Sequence, residues 1–122
     1  MNPSSLVELS LQLSSTVAGT VAVDLNLIKK DYYLHQNFPN PFNPTTAFRF
    51  SIPEESKVKI QVINQLGEVI YSLVDDVRQS GFYTENWNAG NFASGVYYVR
   101  ISAESLVSGK FYSQTIKAVY LK

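Results

Sequence analysis

Cysteine is absent from this chain of 122 residues. That excludes a disulfide framework, a thiol nucleophile and a cysteine-based zinc site. An excess of charge is missing too, because ten Lys and Arg balance ten Asp and Glu for a formal net charge of zero. The basic footprint of a nucleic-acid-binding module is therefore not there. No cluster of Lys and Arg exists to hold an anionic membrane surface either. Neutrality leaves little self-repulsion, so self-association of the domain is expected. Histidine occurs once, as His35, with no Asp, Glu or second His at ligand spacing, and it reads as a surface or junction residue. No apolar run reaches the roughly 18 residues that a membrane-spanning helix needs, so no direct membrane insertion is expected. The amino terminus lacks the basic-then-apolar order of a signal peptide, and Met1-Asn2-Pro3-Ser4-Ser5 reads as an arbitrary start within a longer protein. Finally, no apolar stripe at helical spacing continues for ten residues.

What is present alternates. Hydrophobic residues make up 45% and aromatics 13% of the chain, enough for a packed core and too much for a disordered segment. Val7, Leu9, Leu11 and Leu13 alternate with polar residues, and Val17, Val21, Val23, Leu25 and Leu27 resume the pattern after a break at Gly19. Residues 5–28 thus read as two strands of a hairpin, which is marginal alone and needs a partner for its apolar face. We take residues 1–33 as the end of an upstream domain or a linker. Further on, Phe48, Phe50 and Ile52 form one face, and Val58, Ile60 and Val62 form the next. Asn64-Gln65-Leu66-Gly67 is a turn in which the glycine is free to take a positive φ. Strands are predicted over 68–74, 82–87, 96–103 and 110–121, with 75–81 as a polar loop. The chain is all-β. Short strands with turns every eight to twelve residues predict an immunoglobulin-like antiparallel sandwich of about seven strands, with the amino-terminal hairpin as an addition.

Just before the first of these strands, Asn37, Asn40 and Asn43 interleave with Pro39, Pro41 and Pro44. Proline fixes φ, removes a donor and holds the preceding residue extended, so this segment is neither helix nor central strand. Asn-Pro pairs add turn chemistry. A plain linker needs no aromatics, yet Phe38 and Phe42 lie inside the segment, and both are expected to be buried. It is a boundary that also packs.

No reaction can be assembled from the polar residues. Asp75 and Asp76 read as ordinary loop residues, with a calcium site around that loop as the alternative. The serines have no nucleophile elbow and no His–Asp partners, and no phosphate-cradling glycine loop is present. No cofactor is expected. The aromatics from Phe82 to Tyr120 suggest either sugar stacking or, more simply, the filling of a sandwich core. Of Tyr97 and Tyr98, alternation sends one ring inward and one outward without telling which.

Four blocks taken in order, residues 34–46, 81–87, 88–100 and 117–122, carry a resemblance. They include Asn37-Phe38-Pro39-Asn40-Pro41-Phe42-Asn43-Pro44, Gly81-Phe82-Tyr83-Thr84-Glu85-Asn86-Trp87 and Ser94-Gly95-Val96-Tyr97-Tyr98. Together they resemble the type A carboxy-terminal sorting domain of the type IX secretion system, over residues 34–122. The resemblance implies a non-catalytic address label on a secreted cargo, and an immunoglobulin-like fold. It implies as partners an outer-membrane translocon and a sortase-like surface protease that removes the label and anchors the cargo at the surface of a Gram-negative bacterium. By position, Gly95, Val96, Tyr97, Tyr98, Lys117 and Lys122 become candidate recognition residues, and the Asn/Pro segment a domain-opening motif. Two positions depart from the family pattern. Glu85 stands where an apolar strand residue is usual, which suggests an edge strand or a slight shift. Ala118 replaces a larger apolar residue, which suggests a looser fit. A module like that of the flagellar hook-capping protein shares only the stretch from Trp87 through Gly95 to Tyr98, and a carbohydrate-binding module would rely on outward aromatics.

Overall fold

A computed structural model of the chain describes residues 31–122. The hairpin expected over 5–28 lies outside the described residues. Seven strands follow: β1 (Tyr33–Leu34), β2 (Thr45–Ile52), β3 (Ser56–Ile63), β4 (Val69–Arg78), β5 (Gly81–Asn88), β6 (Gly95–Ser105) and β7 (Phe111–Tyr120). They form a three-stranded sheet, β1-β2-β5, and a four-stranded sheet, β4-β3-β6-β7. Every pairing between these strands is antiparallel. This is the sandwich that the alternation predicts.

The core follows from that alternation. Phe48, Phe50 and Ile52 from β2 face Val58, Ile60 and Val62 from β3 and Val99 and Ile101 from β6, all of them buried. Side chains one residue out of phase, such as Lys57 and Lys59, lie in solvent because successive Cβ atoms on a strand point to opposite faces. Gly67 takes φ +86° in the β3–β4 turn, where its N–H donates to the Asn64 carbonyl at 3.0 Å.

Three expectations need correction. The segment 75–81 is not a loop: β4 runs on to Arg78, with Asp75 opposite Lys59 and Asp76 opposite Val58. β4 is an edge strand whose residues are mostly exposed on both faces, so its sequence lacks the apolar alternation that marks a half-buried strand. The calcium loop therefore does not exist as a loop. Second, the sandwich begins before Thr45, since Tyr33 and Leu34 already pair with Ser51 and Phe50. Third, Phe38 is 79% exposed, whereas Phe42 is 2% exposed. Phe38 faces outward because its backbone bridges to Ala47 on the outer face of β2.

The departures noted in the sequence fit the fold. Glu85 lies on β5, the edge of the smaller sheet, and its carboxylate accepts from Arg78 Nη2 at 3.1 Å. Ala118 is fully buried directly opposite Tyr97, where a small side chain accommodates the large ring across the pair. At the far end, the Glu54 carboxylate accepts from the Ser105 and Ser108 hydroxyls. These hydrogen bonds hold its pKa below the ordinary glutamate value.

Candidate recognition site

Phe42 is the residue on which the opening segment closes. Its N–H donates to the Val119 carbonyl at 2.9 Å, and its carbonyl accepts from Leu121 N–H at 3.0 Å. A short parallel bridge thereby joins the segment to the end of β7, with Phe42 opposite Tyr120. The two rings stack with centroids 5.2 Å apart, and Phe42 also meets Trp87 at 5.7 Å. Trp87 is in turn surrounded by Tyr71, Phe92 and Tyr97. The open end of the sandwich is thus filled by an aromatic cluster.

The asparagines on either side fix the backbone. Asn37 is 2% exposed, and its Nδ2 donates to the Pro39 carbonyl at 3.1 Å and to Thr46 Oγ1 at 2.9 Å. Its Oδ1 accepts from Gln36 Nε2 at 2.7 Å. Asn40 Oδ1 accepts from Val119 N–H at 2.9 Å, and the Pro44 carbonyl accepts from Ala89 N–H at 2.9 Å. Pro39, Pro41 and Asn43 are exposed. Prolines suit positions 39 and 44 because their backbone carbonyls are bonded while their own nitrogens need no partner.

The start of β6 pairs with the end of β7, so Gly95 lies opposite Tyr120, Val96 opposite Val119, and Tyr98 opposite Lys117. The candidate residues near the carboxy terminus and the domain-opening motif therefore meet at one corner. They do not share one role. Gly95 takes φ +153°, a conformation essentially confined to glycine, which starts β6. Tyr97 is 6% exposed, its hydroxyl donates to the Ala93 carbonyl, and its ring meets Trp87 edge-on at 5.6 Å. Burial raises its pKa. Gly95 and Tyr97 thus have structural duties. Val96 is half-buried. Tyr98 is 38% exposed and is the outward ring of the pair. Lys117 and Lys122 are exposed, and the Lys122 N–H donates to Ser94 Oγ at 3.1 Å. The accessible surface at this corner is Tyr98, Lys117, Leu121 and Lys122, with Asn40 and Pro41 beside them.

Two residues not anticipated from the sequence also build this region. Gln114 sits at an inward position of β7, where its Oε1 accepts from Leu34 N–H at 2.9 Å and its Nε2 donates to the Leu34 carbonyl at 2.8 Å. Its amide acts as a missing strand for β1. Gln36 Nε2 donates to the Lys117 carbonyl at 2.7 Å. For Gln114, the available signal is a polar residue within the inward series Tyr112, Gln114, Ile116, Ala118 and Tyr120.

Among the described residues, no group of three or more His, Cys, Asp or Glu lies together in a way that could hold a metal ion. A shallow cleft of about 420 Å³ on the outer face of the larger sheet is lined by Lys57, Lys59, Gln61, Ser102, Glu104 and Phe111, away from the corner.

The chain is a two-sheet all-β module whose opening segment is tied to its last strand. The family described as the secretion system C-terminal sorting domain matches residues 36–114, and the chain belongs to it. A domain of this family is a sorting signal of type IX secretion, which takes proteins to the cell surface of a Gram-negative bacterium. Membership displaces the hook-capping and carbohydrate-binding alternatives. Among solved structures, the chain is similar to PorZ, described as an essential bacterial surface component of the type-IX secretion system of Porphyromonas gingivalis. The identity is 21% and the TM-score 0.42, over 86% of this chain and 13% of that one. No curated protein matches the chain.

Proposed function

We propose that the corner where the domain-opening segment meets the ends of β6 and β7 is the surface that the type IX translocon reads. The observation that carries this reading is the bridge of Phe42 to Val119 and Leu121. It makes the exposed group of Tyr98, Lys117 and Lys122 depend on correct folding of the opening segment. A translocon reading this corner would therefore accept only a folded domain. The domain acts by being recognised rather than by catalysis. A sortase-like surface protease then removes it at a site ahead of β1 and leaves the cargo anchored.

Fusion of residues 31–122 to a reporter bearing an export signal tests this in a host with the secretion system. The reporter is expected at the cell surface, and deletion of residues 117–122 abolishes delivery. The triple variant Tyr98→Ala, Lys117→Ala, Lys122→Ala is expected to lose delivery while keeping the urea midpoint of the parent. A reporter that stays periplasmic with the domain intact overturns the sorting assignment of this segment. Normal delivery of a folded triple variant overturns the assignment of the corner.

A further inference from the structure

The cations of this chain are scattered along its sequence, and the larger sheet gathers four of them on its outer face. Lys57 and Lys59 stand on β3, Arg100 on β6 and Lys117 on β7, each one residue out of phase with the core positions of its strand. The register fixes their arrangement. Arg100 pairs with Gln61, two residues on from Lys59, and Lys117 pairs with Tyr98, two residues before Arg100. Lys59, Arg100 and Lys117 therefore form a diagonal that moves one strand across and two residues along at each step. For strands about 4.8 Å apart that step is roughly 8 Å.

Among the described residues, the ion pairs are those of Arg78 with Asp76 and Glu85, and none involves these four cations. Lys57, Lys59 and Lys117 are exposed, while Arg100 is held in place by a hydrogen bond from its Nη2 to Gln61 Oε1 at 3.1 Å. Two acids share the face, Glu104 opposite Lys57 and Asp75 opposite Lys59, so positive charge is in excess there although the chain as a whole is neutral. Ser102, Ser113 and Thr115 fill the positions between with small side chains. The exposed rings of Phe111 and Tyr98 flank the diagonal, and the cleft lined by Lys57, Lys59 and Phe111 opens on the same face.

We propose that this face docks an extended acidic segment of another protein, with Asp or Glu at alternate positions laid along the diagonal. Alternate side chains of an extended chain point the same way about 6.7 Å apart, and flexible lysine stems absorb the small difference from the diagonal step. Charge complementarity of this kind sets the register and speeds encounter. The occupant is not this chain. No two of its ten acids stand two residues apart, so neither its own amino-terminal part nor a second copy supplies the pattern. The face meets the corner described above at Tyr98 and Lys117 and continues beyond it to Lys57.

A fluorescent peptide of about twelve residues, Glu alternating with Thr, is long enough to follow the diagonal, and titrating it with the full chain tests this by anisotropy. Saturable binding below about 1 mM is expected in roughly 20 mM salt, weakened about tenfold in roughly 0.5 M salt. Lys59→Gln, at an exposed position, is expected to weaken binding about fourfold with an unchanged urea midpoint. Arg49→Gln removes an exposed charge from the smaller sheet instead and leaves binding unchanged. No saturation by about 1 mM overturns the proposal, as does an equal loss from the two variants. A peptide of the same composition with its acids in adjacent pairs binds more weakly if alternation matters, and equal affinity overturns it. Polygalacturonate binding as tightly as the alternating peptide also overturns it, because charge alone then suffices. No substitution here alters Tyr98 or Lys117, so these failures leave the assignment of the corner and of sorting untouched.

Discussion

Along one side of the sandwich, β1 and the opening segment meet β7 through the Gln114 amide, the Gln36 and Asn40 side chains and the backbone of Phe42. Along the other side, Arg78 clasps β4 to β5, beyond the stack of Tyr71 on Trp87. Arg78 bonds Asp76 at 2.7 Å and Glu85 at 3.1 Å, and its guanidinium lies 5.0 Å from the Tyr83 ring centre. Its pKa is raised, first by the hydrogen bond to Asp76 and then by that to Glu85, against the opposing effect of partial burial. One seam is a short stretch of quasi-sheet built from amides and a buried ring. The other is a partly exposed electrostatic clasp. A seam of neutral hydrogen bonds around buried apolar surface is insensitive to salt, whereas exposed ion pairs are screened.

Breaking the closed seam has the largest expected effect. Phe42→Ala removes a buried ring from the stack with Tyr120 and Trp87, and it is expected to destabilise the domain by about 2–4 kcal/mol in urea denaturation. A loss below about 0.5 kcal/mol would make the opening segment a mere linker. Gln114→Leu comes next. It leaves the N–H and C=O of the buried Leu34 without their partner, for an expected loss of about 1–2 kcal/mol by the same measurement. The clasp seam should respond least. Arg78→Met keeps the apolar stem and removes the clasp, at a cost of about 0.5–1 kcal/mol, and most of this disappears in molar salt. A cost equal to that of Gln114→Leu and unchanged by salt would erase the distinction between the seams.

Much of this fold is legible in the residues. The alternation of Phe48, Phe50 and Ile52 and of Val58, Ile60 and Val62 marks two core strands directly, because both have one face on the core. The end of β4 is illegible for the opposite reason: Asp75, Asp76 and Val77 are all exposed, so nothing there alternates, whereas its first half lies within the strand predicted over 68–74. The candidate recognition corner is only half legible. Its residues stand in the blocks that carry the family resemblance, and those blocks do not separate folding from display. Gly95 and Tyr97 serve the fold, while Tyr98 is the ring that solvent reaches.

The rest was not legible for physical reasons. Phe38 and Phe42 are the same residue type in the same proline-rich setting, and only the bridge to Val119 and Leu121 turns one of them inward. Gln114 looks like an interruption of an apolar series until Leu34, eighty residues away along the chain, is brought beside it.

Local pattern determined the fold class, the core faces of β2 and β3 and the family. Period-two alternation is a property of each strand's own pleat and needs no partner to be read. Tertiary structure alone decided which ring is buried, which edge is covered and how the opening segment joins the last strand. Those outcomes depend on groups far apart in the chain, whose hydrogen bonds and contacts exist only once the two sheets have packed.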